Sequence, residues 1–279
     1  MKNRNKRLRV RHILLNAVLL LFLAAYIFPV LWMISSSVKS TGELFSSRIY
    51  LIPEALTLDH YREVFASYSI GDWFKNSLAT TVGIAILQIL VSFLAAFALG
   101  YYRTRLNGAV NYFLLITMVI PFQVTMIPNY ILISNMKLLN TWTSMILPNA
   151  ANATTFFYLY QNVRGVPRAY YECAQIEGAG SFWAMRNVAW GLCKGAVSAI
   201  SILTVIEAWN LYFWPLLVLT KPESRTLTVG LKQFLDFEMG NRWGPFMATA
   251  TLASLPVMVA YLFMQRHIIN AFISSGIKG

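Results

Sequence analysis

The sequence predicts an all-α membrane protein with six transmembrane helices and one polar loop between the fourth and the fifth. Its 279 residues are 57% hydrophobic and only 12% charged, whereas soluble domains carry roughly 25% charged residues. Apolar runs recur along the chain, and each reaches the ~20 residues that cross a bilayer. Basic residues cluster directly before the first run, as the positive-inside rule expects of a cytoplasmic N-terminus. The six runs are 13–34, 76–102, 109–134, 141–163, 196–220 and 245–264.

The N-terminal segment, residues 1–12, is basic and contains no acid. The net charge of +12 therefore reflects membrane topology at least in part, and its placement argues against nucleic-acid binding. The first run is longer than the roughly 7–15 residue core of a signal peptide, so we expect it to be a retained helix. An even number of spans returns the tail, residues 265–279, to the cytoplasm. The basic residues are Lys2, Arg4, Lys6, Arg7, Arg9 and Arg11.

The segments between the runs differ in character. Residues 39–75 carry most of the acids outside the polar loop and are expected to form a short external cap with some helix. The fourth run is polar for a span, and its Asn149 and Asn152 suit hydrogen bonds between helices better than substrate contacts. The fifth run contains Glu207, which costs at least ~2.5–3.5 kcal/mol at mid-bilayer. We therefore expect Glu207 to face a translocation path or a partner subunit.

The polar loop, residues 164–195, places small residues one turn apart around a glycine. Such a segment predicts one short helix, a break at residues 178–180 and a second helix. A helix pair with a small-residue face on the cytoplasmic side suits a bulky soluble partner that pushes on it. The candidate contact residues are Glu172, Cys173, Ala174, Glu177, Gly178 and Ala179.

Catalytic and metal-binding patterns do not appear in the sequence. No HExxH pair, GxSxG elbow or GxxxxGK[ST] phosphate loop is present. Cys173 and Cys193 both fall in the polar loop, without a nearby histidine, and a reducing compartment disfavours a disulfide. We therefore predict a subunit that is not an enzyme and binds no metal; any ATP must bind another polypeptide.

Several motifs together carry a resemblance that covers nearly the whole chain. The loop sequence 172–179 resembles the coupling loop, or EAA motif, of binding-protein-dependent ABC importer permeases. The segments 73–77, 209–216 and 226–231 are similar to motifs of the carbohydrate, maltose-permease-like branch, as are the paired prolines Pro121 and Pro128. The resemblance implies a type I importer fold, with a permease domain over residues 13–264.

The resemblance also implies a function and an assembly. This chain would be one permease subunit of an ATP-driven importer that moves a sugar or oligosaccharide into the cell by alternating access. Its partners would be a second homologous permease subunit, two copies of a cytoplasmic ABC ATPase that hold ATP and Mg, and an extracytoplasmic solute-binding protein. The chain would bind no cofactor itself and would lie in the bacterial cell (inner or plasma) membrane with both termini cytoplasmic. Candidate substrate contacts are Glu207, Asn210 and Tyr212.

Some positions depart from the family's pattern. Cys173 replaces an alanine and Glu177 an aspartate, so size or charge is preserved. Gly191 and Gly195 stand where the family has prolines. Proline fixes the backbone φ angle, whereas glycine leaves the backbone free to adopt many conformations. We therefore expect the helix that enters the fifth span to be more continuous or more mobile than in the family.

Two alternatives remain open at this point. The same polar chemistry suits a permease for a non-sugar solute, such as a glycerol phosphodiester or a polyol. An ATP-independent secondary transporter would predict transport driven by an ion gradient alone, and it would leave the 172–178 segment without a role.

Overall fold

The long apolar runs form helices because a lipid environment offers no partners for backbone amides and carbonyls. The computed structural model describes residues 2–46, 51–102, 107–235 and 240–276, and these residues contain helices and connections but no strand. The α-helices are α1 Lys2–Ser37, α2 Thr41–Leu44, α3 Asp59–Ser67, α4 Ile70–Tyr101, α5 Asn107–Thr117, α6 Phe122–Asn135, α7 Trp142–Ile146, α8 Ala153–Arg164, α9 Arg168–Ile176, α10 Ser181–Trp183, α11 Trp190–Trp209, α12 Phe213–Val218, α13 Leu227–Gly230 and α14 Trp243–Gly276. A π-helical stretch covers Ala184–Ala189, and 3-10 turns cover Pro222–Ser224 and Leu231–Phe234.

Four helical segments of the described chain are long and apolar enough to cross a membrane. They are His12–Ser37, Ile70–Tyr101, Ser181–Trp209 and Trp243–Phe263. Helices α5 and α6 pass the same test together but meet at 96°. Pro121 is the N-cap residue of α6, and its missing amide hydrogen and ring would interrupt a straight span that ran through this position. These findings confirm an all-helical membrane protein, and the exact count of six spans stays a prediction.

The fourth predicted run, 141–163, is divided between α7 and α8 rather than forming one helix. The side-chain oxygen of Asn152 accepts from the amide of Thr155 at 2.9 Å and caps the start of α8. The side chain of Asn149 donates to the carbonyl of Met145 at 2.8 Å, at the end of α7. The side chains of the two asparagines therefore bind backbone groups at helix ends. These polar contacts explain why residues 141–163 do not form one continuous helix.

The described chain divides into two units. The first consists of residues 1–68 and 231–255. In it, the His60 ring lies against the backbone of Gly244, where a Cβ would come 2.2 Å from Cε1 of the ring. Arg242 forms an ion pair with Glu63 and donates to the Tyr68 hydroxyl at 2.7 Å. These contacts join α3 to the start of α14.

The second unit consists of residues 69–230 and 256–279. Its core lies where α4, α8 and α11 pack against each other, and α9 covers one end of that core. Buried aromatic and branched side chains fill the space, and burial of each contributes roughly 1.5–3 kcal/mol. The central side chains are Phe93, Phe97, Leu159, Val163, Val197 and Ile200.

Candidate coupling loop and polar cavity

The polar loop folds into a helix, a tight break and a second helix, as the sequence predicts. Helix α9 ends in a Schellman motif, because the amide of Ala179 donates to the carbonyl of Ala174 at 2.9 Å. The amide of Gly178 donates to the carbonyl of Gln175 at 3.0 Å. Gly178 has φ +80°, a conformation that glycine adopts without a steric penalty. Ser181 begins α10 two residues after Ala179.

One face of α9 packs inward. Tyr171 and Ala174 are 6% and 4% exposed, and their spacing of three residues places them on the same face of the helix. The Tyr171 ring contacts the rings of Phe97 and Tyr101, with centroids 6.4 and 5.2 Å away. Burial raises the pKa of Tyr171 to about 12, with smaller contributions from Cys193 and Tyr101. Helix α9 is thus fixed to the end of α4.

Ala174 differs from most of the other candidate contact residues because its side chain is buried. The sequence placed its side chain on a surface with Cys173 and Gly178, but here it packs within the chain. A larger side chain at this position would disturb the packing of α9 before it touched a partner. Cys173 and Gly178 are exposed, as are Glu172 and Glu177, and Ala179 is half-buried. Glu172 pairs with Arg168 of the same helix at 3.3 Å.

Apolar side chains that the sequence analysis missed stand out from the loop. Ile176 is 86% exposed and Phe182 is 70% exposed, and Tyr170 and Trp183 are about half exposed. Ile176 lies one turn beyond Glu172, on the polar side of α9. Folding of this chain does not bury an apolar side chain at that position. That position within the amphipathic pattern was the signal available in the sequence. Exposed apolar side chains of this size are typical of a surface that another protein covers.

The helix that enters the fifth predicted span is continuous. Residues Ser181–Trp209 form one helical segment with the π-helical stretch inside it. Gly191 and Gly195 lie within this helix, where glycine retains the amide hydrogen that proline lacks. The expectation that this helix is more continuous or more mobile than in the family stays a prediction.

Glu207 lines a polar cavity of about 180 Å³ that α4, α6, α11 and the residues between α7 and α8 enclose. Gln88 is 4% exposed and donates to the Thr155 hydroxyl at 2.7 Å. Thr204 is 2% exposed, and its hydroxyl has no hydrogen-bond partner among the described residues. The polar lining consists of Gln88, Asn149, Asn152, Thr204 and Glu207.

The other two candidate pathway residues lie elsewhere. Neither Asn210 nor Tyr212 is among the residues that line this cavity. The Asn210 side chain donates to the carbonyl of Ile206 at 2.8 Å and so helps to end α11. The Tyr212 ring packs on Phe213 with centroids 5.4 Å apart. Gln88 and Thr204 were missed because single polar residues in an apolar run give no signal of what faces them across the bundle.

Metal binding has no support in the described part of the chain. No three His, Cys, Asp or Glu side chains among those residues are placed to hold a metal ion.

Comparison with known proteins identifies the family. A model described as "Binding-protein-dependent transport system inner membrane component" matches residues 88–273. The arabinooligosaccharides transport system permease protein AraQ of Halalkalibacterium halodurans is 30% identical over 256 residues, which cover 91% of each chain. The sn-glycerol-3-phosphate transport system permease protein UgpE of Rhizobium meliloti is 28% identical over 268 residues, which cover 93% of this chain and 95% of that protein.

Solved structures share the fold. A chain of a bacterial ABC transporter involved in the import of the acidic polysaccharide alginate superposes with a TM-score of 0.83 and 22% identity, over 92% of this chain and 96% of that one. A chain of the bacterial alginate ABC transporter in complex with alginate pentasaccharide-bound periplasmic protein gives a TM-score of 0.69 and 14% identity, over 94% and 96%. The protein therefore belongs to the family of inner membrane components of binding-protein-dependent transport systems.

Proposed function

We propose that this chain is a permease subunit of an ATP-driven importer that moves a neutral sugar or oligosaccharide into the cell by alternating access. The polar cavity around Glu207 is the observation that carries the proposal. Its lining of a carboxylate, amides and a hydroxyl can exchange hydrogen bonds with sugar hydroxyls. The unpartnered hydroxyl of Thr204 is ready to bond a solute, because a buried polar group without a partner costs free energy.

The charge of the cavity favours a neutral solute. Its described lining contains one carboxylate, Glu207, and no lysine or arginine. An anion in a weakly polarisable environment would be repelled by that carboxylate. The relatives named above include a permease for arabinooligosaccharides and one for sn-glycerol-3-phosphate. The charge of the cavity therefore favours a neutral solute such as an arabinooligosaccharide over an anion such as sn-glycerol-3-phosphate.

In this proposal α9 transmits a conformational change from a partner ATPase to the membrane helices. Its firm contacts with α4 pass a displacement to the membrane helices, since packed helices move as rigid bodies. The exposed face of Glu172, Cys173, Ile176, Glu177 and Gly178 contacts the ATPase, together with Phe182. ATP and Mg bind the ATPase dimer, whose closure opens the permease outward.

The proposal includes an orientation and a set of partners. The basic N-terminus supports an orientation with both termini and the polar loop in the cytoplasm of a bacterial cell. A second permease subunit completes the translocation path, and an extracytoplasmic binding protein delivers the solute. The family's description as an inner membrane component of a binding-protein-dependent system supports this assembly.

The proposal is tested with the reconstituted complex and its binding protein. Neutral arabino-oligosaccharides should stimulate ATP hydrolysis, and sn-glycerol-3-phosphate should not. Glu207→Gln keeps the volume and removes the charge, so the complex should assemble normally while stimulation falls roughly tenfold, the effect of one lost hydrogen bond to a charged group. Glu54→Gln, which changes an exposed glutamate outside both the cavity and the polar loop, is the matched control. Wild-type stimulation by Glu207→Gln would remove the cavity from the solute's path.

A further inference from the structure

A second cavity of about 350 Å³ lies at the base of α9, apart from the Glu207 cavity and from the exposed loop surface. The end of α4, the start of α5, the end of α8 and the start of α9 meet there. Its lining combines apolar groups with Arg164, Arg168, Asn111 and Tyr171. The transport mechanism above uses none of these polar groups for the solute.

The charge of this cavity is positive. Arg164 is exposed in the last turn of α8, and no hydrogen bond or ion pair links it to another residue that the structure describes. Arg168 uses its Nε for the pair with Glu172, which leaves its two Nη groups directed to no described partner. Guanidinium groups with uncommitted nitrogens bind phosphate in bidentate fashion.

Two buried polar groups at the cavity have no partner. Tyr171 is 6% exposed, and its hydroxyl makes no hydrogen bond within the described chain. The raised pKa of Tyr171 keeps that hydroxyl protonated, so it remains a donor. The Oδ1 atom of Asn111 is also buried without a donor. Buried polar groups are normally satisfied, so an unpaired donor and an unpaired acceptor together indicate a ligand that carries both kinds of group.

Backbone groups add to the attraction for an anion. Helix α5 begins with Asn107 and Gly108, and α9 begins with Arg168; all three residues line the cavity. The first amides of a helix lack intrahelical acceptors, and the helix dipole is positive at that end. The N-terminus of α9 at this cavity therefore favours a phosphate group.

We propose that this cavity binds the phosphate group of an anionic phospholipid headgroup. The cavity stands at the end of the α4 membrane span, which is the depth of the headgroup layer. Apolar side chains of α5 next to it are exposed, Tyr112 at 68% and Phe113 at 65%, and offer a surface for acyl chains. A glycerol hydroxyl of the headgroup would donate to Asn111. Because Tyr171 and Arg168 belong to α9, a bound lipid would hold the coupling helix against α4 and α8.

The test measures retention of phosphatidylglycerol by the purified transporter complex, using native mass spectrometry after exchange into detergent. Wild type should retain a tightly bound phosphatidylglycerol. Arg164→Gln should retain it roughly tenfold more weakly, as expected when a charge-assisted contact to phosphate is lost. Arg186→Gln changes an exposed arginine of the same loop that does not line the cavity, and should behave as wild type. Equal retention by all three proteins would overturn the proposal.

Tyr171→Phe removes only the hydroxyl that has no described partner and preserves the ring contacts. This variant therefore tests the proposal even if Arg164→Gln does not assemble. It should also weaken retention, while binding of phosphatidylcholine stays the same in every variant. A parallel arm adds millimolar inorganic phosphate and follows the thermal unfolding of the complex. If phosphate stabilises wild type but not Tyr171→Phe, and phosphatidylglycerol retention does not differ between them, the ligand is a soluble phosphate and the lipid assignment is wrong. The readout is binding, so failure here leaves the transport proposal intact.

Discussion

The amide of Ala179 donates to the carbonyl of Ala174 across 2.9 Å, and Gly178 between them adopts φ +80°. This hydrogen bond closes the end of α9 and sets the angle at which the chain leaves for α10. It therefore positions both halves of the exposed surface, Ile176 on the first helix and Phe182 on the second. The geometry of the loop depends on one backbone conformation rather than on side-chain charge.

The first prediction concerns Gly178. A Cβ at a positive φ costs about 1–2 kcal/mol, so Gly178→Val should distort the loop and reduce co-purification of the ATPase and uptake together. Space is not the reason, since a Cβ at this position meets no atom within 4 Å. Gly180→Val is the matched control, because Gly180 has φ −74° and equally open surroundings among the described residues. If the two variants behave alike, the conformation of Gly178 does not position the loop.

The second prediction concerns Ile176. If a partner covers this side chain, its loss should weaken ATPase binding by about 1.5–3 kcal/mol, the value of burying such a group. Ile176→Ser should therefore lower the affinity of the ATPase roughly tenfold or more and leave the thermal stability of the isolated chain unchanged, because the residue is 86% exposed. Cys173→Ser, a change one turn earlier on the same exposed face, should have little effect. The affinities can be compared by titrating ATPase onto the purified permease subunits.

The third prediction concerns orientation. Cys173 is exposed and Cys193 is buried. A membrane-impermeant maleimide should therefore label Cys173 in inside-out vesicles but not in intact cells. Cys193 should not react with the maleimide in either preparation. Labelling should weaken when the ATPase is bound. Strong labelling of Cys173 from outside intact cells would reverse the proposed topology.

The fourth prediction concerns pH and His60. Burial lowers the pKa of His60 from its usual 6.5, and nearby Arg242 lowers it further; a hydrogen bond to the Lys39 backbone and the charge of Asp59 oppose this shift. The unfolded chain then binds a proton more readily than the folded one, so the stabilisation is complete above pH 6.5 and is lost as the pH falls below it.

Thermal unfolding measured across that range should show the loss in wild type. His60→Gln, which has no proton to gain there, should show a flatter pH dependence. A pH dependence in the variant as steep as in wild type would assign the effect to another group.

The sequence predicts the α9 helix, its break and the start of a second helix because these depend on local chemistry. Gly178 supplies the left-handed turn, and Gly191 and Gly195 do not stop a helix as proline would. The apolar runs likewise locate α1, α4 and α14. The division of the fourth run at Asn149 and Asn152 was not predicted, since capping by a side chain depends on which backbone groups are left unpaired.

Tertiary packing explains what the sequence does not predict about the candidate sites. Whether Ala174 or Ile176 faces outward depends on which side of α9 the end of α4 covers, and periodicity within nine residues does not decide that. Gln88, Thr204 and Glu207 come from helices far apart in sequence, so their common cavity follows only from the packing of α4 against α11. Asn210 and Tyr212 are near Glu207 in sequence but lie beyond the end of the helix that carries it.

In the proposed transport cycle, ATP hydrolysis on a partner ATPase drives a neutral sugar through this chain and a second permease subunit. Uptake of a labelled arabino-oligosaccharide can be measured in proteoliposomes that contain the whole complex, with binding protein outside and ATP inside. We expect uptake with luminal ATP, none with a non-hydrolysable ATP analogue, and none with an imposed proton or sodium gradient alone. Uptake driven by an ion gradient without ATP would identify a secondary transporter instead.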